Sequence, residues 1–592
     1  MSTRRLELLL KTLLLLVVFA VSGGPLVKQF QDPDFFWHLK SGEWIWEHRA
    51  LPEEFLFVST PPANPAVMQR FTMTSYWMIQ VLFHLAHSAG GMGAIVALRF
   101  LLYGLLLLAV FLGKDGDDLV FLGLLVPAVI ILAQYAVERP QYVSFIFFAC
   151  LLVLLNGIRT ANAAAALPLR AAAVPVLMAV WANCHGGYIA GLGIMAAWLL
   201  AETLKYLHPL LEPLSPRRYR FLFSAVVAGF LASLLNPNTY HVFEVVTQPS
   251  WGIVTIVEFL PTIAAYRLSP EPWLLVYWTL LGLAVAGLAL SWRRPNLTHI
   301  ALVASTGYAS FTLVRLIPFF VVASLFVLCR LFSTPRLVGK SRFVFAAAGL
   351  ALGVFFLRDA GKTYRNISRC TEVSEYRFPV EAANFIRNEG LQGNMFNLYD
   401  WGGYLLWRLA PAKTFIDGRN GDRKIYDIYR QIMTGEGDSV AHGLPFWKKY
   451  FQHRDIRYTI TPIFDPLTGK LFGLLDDLEA DPAWLPVYVD PTAVVFAEDV
   501  PANRAVVQRN ALPKAQFFQE LLDCCTAIIA VNPSFVQAFV ARGDILLRLD
   551  DRAGALRSFE EALRLAPQHA YARARVARLR AQTAQPAPPT GQ

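Results

Sequence analysis

From residue 8 to residue 357 the sequence is a succession of apolar runs, each about as long as a bilayer is thick. A helix needs about 20 mostly apolar residues to cross the hydrocarbon core. The first run is Leu8–Leu26, and ten more follow near 92–112, 118–136, 141–158, 171–184, 188–207, 220–236, 272–291, 298–314, 316–332 and 342–357. Lipid offers no partner to a backbone N–H or C=O, so such runs must be helices. A soluble globular fold is thereby excluded for the first 360 residues. Of the 592 residues, 55% are hydrophobic, against about 45–50% in soluble chains.

Basic residues fall in alternate loops: Arg4/Arg5, Lys114, Arg159/Arg170, Lys205/Arg217/Arg218/Arg220, Arg293/Arg294 and Arg336/Lys340/Arg342. Cytoplasmic loops collect Lys and Arg, so the net charge of +10 implies no nucleic acid. This set places the N terminus in the cytoplasm and, after eleven spans, everything beyond Arg358 outside. The first run has a second reading, a cleaved secretory signal, with a basic start, the short core Thr12–Val21 and small Ser22-Gly23-Gly24. Either way the next segment starts outside. The expected location is a membrane, crossed many times.

That first outer loop, 25–91, opens with QDPDFFWHLKSGEWIWE over Gln31–Glu47. Asp32 and Asp34 flank Pro33, which suits a helix start, so Phe35 onward reads as helix. Asp34 and His38 then share one face, and Glu43 lies further along. The aromatics suit a membrane interface. The plainer reading is a loop with an aromatic belt and two capping aspartates. Thr74–Ala89 reads as an amphipathic helix stopped by Gly90-Gly91.

Other polar residues map to the same face. Glu138-Arg139-Pro140 ends the third span, Asn183 and His185 lie between the fifth and sixth, and Asn236 follows the seventh. Glu258 sits in the loop after it, and Arg315 interrupts the apolar run between the ninth and tenth. Ionisable groups near a bilayer are costly and are usually functional or paired. Singly they say little: Glu138 and Arg139 read as a structural pair, His185 as a helix terminus. Together they imply an outward cavity in which acids serve as a base and arginines hold a phosphate.

Residues 361–505 alternate helix and strand patterns and read as a small α/β domain. Expected helices are Val380–Glu389, Arg423–Met433 and Pro466–Leu478. Expected strands are Asn394–Leu398, Thr414–Asp417, Tyr458–Thr461 and a hairpin of Pro486–Val489 with Ala493–Phe496. Tyr399, Asp400, Asp417 and Arg419 fall in strand-end loops and either line the cavity or act as turn residues. Residues 506–581 are helical. Asn532-Pro533 recurs as Ala566-Pro567 after 34 residues, the period of a tetratricopeptide repeat, with Gly543, Ala553, Phe559 and Ala562 at its packing positions. One and a half repeats are too few to stand alone, so the segment should dock on the α/β domain or on a protein partner. The tail 582–592 is Ala/Pro/Thr-rich and reads as disordered. Six cysteines are too few for a disulfide scaffold. Cys370 either bonds Cys524 or Cys525, or all three are free thiols.

Asp32-Pro33-Asp34 after the first span, the amphipathic helix, about eleven spans and the outer α/β tail resemble the GT-C superfamily of membrane glycosyltransferases over residues 1–500. DPDFFWHLKSGEWI, ERPQ, WANCHGGYIAGL, LNPN, RLIPFF, NLYDWGGYLLW and FIDGR look like segments of a bacterial group with GT-C-like domains. The resemblance implies a transmembrane domain over 1–360 in the inner (plasma) membrane of a bacterium, a donor carried on polyprenyl phosphate, and an envelope glycan, lipid or protein acceptor. It implies Asp34 or Asp32 as catalytic base, Arg139 and Arg315 as phosphate ligands with His38 and His185 in support, and Glu43, Glu138, Asn183, Asn236, Glu258, Tyr399, Asp400, Asp417 and Arg419 lining the cavity or binding the acceptor. A divalent metal on Asp32 and Asp34 is one option. The WWD-type motif of oligosaccharyltransferases is missing, which counts against asparagine glycosylation. Two rivals remain: an O-antigen ligase or polymerase-like transferase, and a membrane-anchored assembly scaffold that uses the repeat.

Overall fold

The structure, a computed structural model, describes residues 3–61, 67–160, 166–208, 211–247, 257–292, 295–334, 338–365, 367–420, 422–436 and 444–584. It divides into two compact units. The first holds residues 1–53 and 64–372; the second holds 54–63 and everything from Val373.

The first unit is helical: α1 (Thr3–Leu26), α2 (Phe35–His48), α3 (Val67–Thr74), α4 (Trp77–Leu112), α5 (Asp118–Leu132), α6 (Gln141–Thr160), α7 (Ala166–Cys184), α8 (Tyr188–Leu204), α9 (Pro216–Ser233), α10 (Val242–Thr247), α11 (Thr262–Leu268), α12 (Pro272–Leu290), α13 (Leu297–Thr312), α14 (Ile317–Phe332) and α15 (Val338–Tyr364). A helix stands at each of the eleven expected spans. Among the described residues nine stretches are long and apolar enough to cross a membrane. The two that fall short are α9, whose first turns carry Arg217, Arg218 and Arg220, and α13, which is 16 residues long. Burial centres on α5 and α14, which are covered on nearly every side. α1 is packed in: Leu14, Val17, Val18 and Val21 join the core, and a Cβ on Gly353 of α15 would lie 2.1 Å from Val17.

Two glycines position α2 and α4. At the expected break in α4, Gly91 has φ 59 and ψ −150, a conformation open essentially to glycine alone. The amphipathic first half of α4 is thereby separated from its spanning half. Gly42 of α2 sits directly on α4, where an added Cβ would lie 1.9 Å from the Gln80 carbonyl oxygen. A side chain there has nowhere to go, because the obstacle is backbone.

The second unit contains α16 (Val380–Glu389), β1 (Asn394–Asn397), α17 (Gly402–Arg408), α18 (Arg423–Thr434), α19 (Phe446–His453), β2 (Ile456–Thr461), α20 (Gly473–Glu479), β3 (Trp484–Val489), β4 (Val494–Glu498), α21 (Arg504–Asn510) and four long helices, α22 (Lys514–Val531), α23 (Val536–Arg548), α24 (Arg552–Leu565) and α25 (Ala570–Ala584). The sheet order is β1-β2-β4-β3, with β1 parallel to β2 and the remaining pairs antiparallel. Phe517, Leu521 and Cys525 of α22 and Ile545 of α23 share one core with Phe396, Trp484 and Phe496. Gly543 faces Phe559, where a Cβ would come within 2.6 Å.

Two expected elements differ. Thr414–Asp417 is not a strand: Thr414 makes a single bridge with Val58. The Asn397 side-chain amide takes the Phe415 N–H and the Ile416 carbonyl, both at 2.8 Å, where a ladder would otherwise run. The helix expected from Pro466 starts at Gly473. Asp465 captures the Leu467 N–H at 2.9 Å and the Thr468 hydroxyl at 2.9 Å, a local side-chain turn that competes with helix. All six cysteines are free thiols: Cys525 is spent on the apolar core of the second unit, whereas Cys370 belongs to the first. The tail, past Ala584, lies outside the described residues.

Gly42→Ala should destabilise the purified protein by about 1–3 kcal/mol, the usual cost of overpacking. Gly104→Ala, with nothing within 4 Å of its Cβ, is the matched control and should be neutral or mildly stabilising in helix α4. Thermal unfolding in detergent checks both.

Candidate active site

Asp34 precedes α2 as its N-cap residue, yet its side chain makes no capping bond. One carboxylate oxygen accepts from the Trp37 indole N–H at 3.0 Å; the other faces Arg139 at 3.2 Å. Asp32 accepts the Asp34 backbone N–H at 2.9 Å, closing a local turn around Pro33, and takes Arg139 Nε at 2.5 Å. Glu258 reaches the same guanidinium at 3.2 Å. Arg139 therefore stands between three carboxylates, and the cluster keeps a negative balance. The cap reading of the two aspartates does not hold for Asp34, whose oxygens go to side chains.

The two aspartates are not equivalent. The Asp34 side chain is 27% exposed and that of Asp32 is 8% exposed. Burial pushes the Asp32 carboxyl above its ordinary range; Arg139 pulls it back, and Asp34 adds to the rise. Burial also works against the Arg139 charge, but Asp32, Asp34 and Glu258 more than offset it and hold the guanidinium firmly protonated.

Arg315 follows α13 in a short turn and makes no ion pair among the described residues. Its guanidinium lies 4.6 Å from the centre of the Phe259 ring, adjacent in sequence to Glu258. Tyr76, just before α4, is within electrostatic reach of Arg315, Asp34, Arg139 and Glu258. Its ring lies 5.2 Å from His38 and 5.5 Å from His185. His185 Nδ1 accepts from the Gly187 N–H at 2.9 Å and meets the Ser144 hydroxyl at 2.8 Å, so the neutral ring carries its proton on Nε2. Burial, with Arg315 adding to it, pushes this imidazole down to about 3. His38 turns to α4, where its Nδ1 meets the Gln80 amide at 3.2 Å.

The remaining expected residues go elsewhere. Glu43 pairs with Lys40 at 2.9 Å. Glu138 does not pair with Arg139; it forms a buried ion pair with Arg99, which also donates to the Leu26 and Lys28 carbonyls. Neighbours in sequence thus point to different partners. Asn183 accepts from the Trp77 indole at 2.9 Å and donates to the Leu235 carbonyl at 2.7 Å. Asn236 holds the turn after α9 through Ser233 and Asn238. Both asparagines line an apolar cavity of about 820 Å³ with Trp46, Arg49, Trp77 and Leu235, and Arg49 stacks 3.7 Å over Trp46. Adjacent residues thus serve both features, Trp77 the cavity and Tyr76 the charged cluster.

In the second unit, Asp417 and Arg419 form a buried ion pair at 2.6 Å, and Arg419 donates to the Leu56 carbonyl at 2.8 Å. They hold the segment around Leu56 in that unit. Asp400 pairs with Arg377 at 3.2 Å, and the Tyr399 N–H donates to the Tyr429 hydroxyl.

No family model and no curated protein matches the chain. Among solved structures it is similar to the Archaeoglobus fulgidus oligosaccharyltransferase in complex with zinc and sulfate, at 12% identity and a TM-score of 0.49, over 91% of this chain and 86% of that one. It is also similar to ArnT from Cupriavidus metallidurans, at 15% identity and a TM-score of 0.49 in the apo state. For ArnT bound to undecaprenyl phosphate the identity is 13% and the TM-score 0.44. Both ArnT comparisons cover 87% of this chain and 100% of that one. Likenesses with TM-scores below 0.5 carry no weight for chemistry, which rests on the side chains alone.

Tyr76 and Phe259 were not singled out in the sequence. Tyr76 looks there like one more ring in an aromatic stretch, and Phe259 like a loop apolar residue.

His185 supplies a pH test. Its folded value lies below the ordinary 6.5, so the unfolded chain binds the extra proton. Its contribution to stability is complete above pH 6.5 and is lost as pH falls toward 3. His185→Gln should flatten the unfolding midpoint between pH 6.5 and 4.5 relative to the parent chain.

Proposed function

We propose that the chain is a membrane glycosyltransferase that takes a sugar from a polyprenyl-phosphate carrier and passes it to an envelope glycan, lipid or protein acceptor outside the membrane. The observation that supports this most is a partly exposed aspartate, already oriented by Arg139, in one cluster with a second arginine, Arg315, that makes no ion pair among the described residues. An inverting transfer needs a carboxylate to take the acceptor's proton as the nucleophile attacks, and a cation to stabilise the departing phosphate. Asp34 is the base, because its carboxylate is the more exposed and opens the helix. Asp32 and Glu258 hold Arg139, which orients Asp34. Arg315 takes the phosphate, since a guanidinium shared by three acids has little charge left for a fourth anion. The neutral His185 Nε2–H and the Tyr76 hydroxyl are further donors beside it. The 820 Å³ apolar cavity suits the carrier's isoprenoid chain.

The donor set does not suit a metal on Asp32 and Asp34 as arranged. Each of their four oxygens already faces an N–H donor. We assign the N terminus to the cytoplasm, the second unit to the outside of the inner membrane, and the repeat-like helices α22–α25 to contact with an envelope protein partner.

Asp34→Asn keeps size and the Trp37 contact but removes the base. Turnover of a lipid-linked donor should fall by about 10²–10⁴-fold while the unfolding midpoint moves little. Envelope glycans compared by mass spectrometry between a deletion strain and an Asp34→Asn strain give the cellular readout. Full transfer by the variant would remove Asp34 from the reaction.

A further inference from the structure

The chain runs back and forth through the first unit, so the helix ends remote from Asp34 gather a second group of polar residues. The loop after α4, the last turns of α6, α8 and α14, and the first turn of α13 meet there. They enclose a cavity of about 20 Å³ lined by Asp115, Asn156, Trp198, His299 and Arg330 among apolar residues. About 10–15 Å³ on this measure holds one oxygen-sized group.

Several features mark it as a built site. Trp198 and His299 are 6% and 9% exposed, and Trp198 Nε1 and His299 Nδ1 have no hydrogen-bond partner among the described residues. An indole N–H only donates, so what meets it must accept. A buried donor left without an acceptor costs on the order of 1–3 kcal/mol. Positive charge surrounds the pair: Arg159, Arg330 and Lys205 all act on His299. Three carboxylates, Asp115, Glu202 and Glu212, face it. Asp115 pairs with Arg330 at 2.6 Å, and Glu202 pairs with Lys205 at 2.7 Å in a buried triad with Thr298. Arg159 has no ion pair among the described residues, and its Nη1 is buried without a partner. Glu212 also acts on Arg159, so three acids face the three cations, and what the site leaves open among the described residues are the unpartnered Arg159 Nη1, Trp198 Nε1 and His299 Nδ1. Arg330 and Asp115, with side chains 42% and 45% exposed, form the solvent side of the cavity.

We propose that this end of the bundle binds a phosphate oxyanion, one oxygen entering the cavity against Trp198 Nε1–H and His299 Nδ1–H while Arg330 and Arg159 meet the rest. The basic loops of this end attract anionic lipid, so the phosphate comes from a lipid headgroup or from free phosphate. The site is separate from the proposed transfer chemistry and needs none of its residues.

The test uses the full chain, purified in detergent and stripped of lipid, with binding read by native mass spectrometry. The probes are short-chain phosphatidylglycerol, short-chain phosphatidylcholine and inorganic phosphate. Trp198→Phe keeps the ring and deletes the donor; Arg330→Lys keeps a charge and deletes the fork. One saturable phosphatidylglycerol, preferred over phosphatidylcholine and weakened about tenfold in both variants, supports the site with lipid as the source. Saturable inorganic phosphate, weakened in the same variants, supports it with free phosphate as the source. Equal binding of the two lipids without phosphate binding, or affinities unchanged in Trp198→Phe, would mean an ordered water only and would overturn the proposal. Unfolding midpoints of both variants, measured alongside, separate lost binding from lost fold.

Discussion

One guanidinium organises one end of the helical unit. Arg139 lies between α5 and α6, where it meets Asp32, Asp34 and Glu258. Each acid comes from a different stretch of backbone or side of a turn, so the arginine ties the approach to α2 to the segment before α11. Near a low-dielectric membrane region such charges survive only in company. Removing Arg139 would leave three carboxylates repelling one another; removing one acid would leave a pair. In the proposed function, Arg139 serves orientation and Arg315, over Phe259, is the cation for the phosphate.

α2 depends on this arrangement and on one glycine. Its N-terminal end is held through Asp34 and Trp37, and its middle lies on the α4 backbone through Gly42. Phe35, Phe36 and Leu39 are buried in between. The helix is thus fixed at two points, and the exposed edge of Asp34 is presented without a long flexible side chain.

The bundle was legible because lipid forces one solution on an apolar run. Every expected span is a helix, and the Gly90-Gly91 break lies where two consecutive glycines lose helix propensity. Partner choice was less legible. Glu138 and Arg139 are adjacent, and only the fold shows that Arg99, 39 positions earlier, takes Glu138. Glu43 satisfies Lys40 one turn away, a local pairing its spacing allowed. Asp417 and Arg419 read in the sequence as strand-end loop residues, either at the cavity or holding a turn. Their burial against the Leu56 carbonyl gives them a structural task that depends on residues 54–63 joining the second unit, which no local pattern records. The missing strand at Thr414 has the same origin: a side-chain amide, Asn397, stands in for a neighbouring backbone.

The division of labour between the two arginines is the claim on which the chemistry turns. Binding of a water-soluble short-chain isoprenyl phosphate to the purified chain, measured by calorimetry for Arg139→Gln and Arg315→Gln beside the parent, addresses it most directly. The account predicts that Arg315→Gln weakens binding about tenfold or more with an unchanged unfolding midpoint, and that Arg139→Gln mainly lowers the midpoint. Loss of binding in Arg139→Gln with full affinity in Arg315→Gln would contradict it.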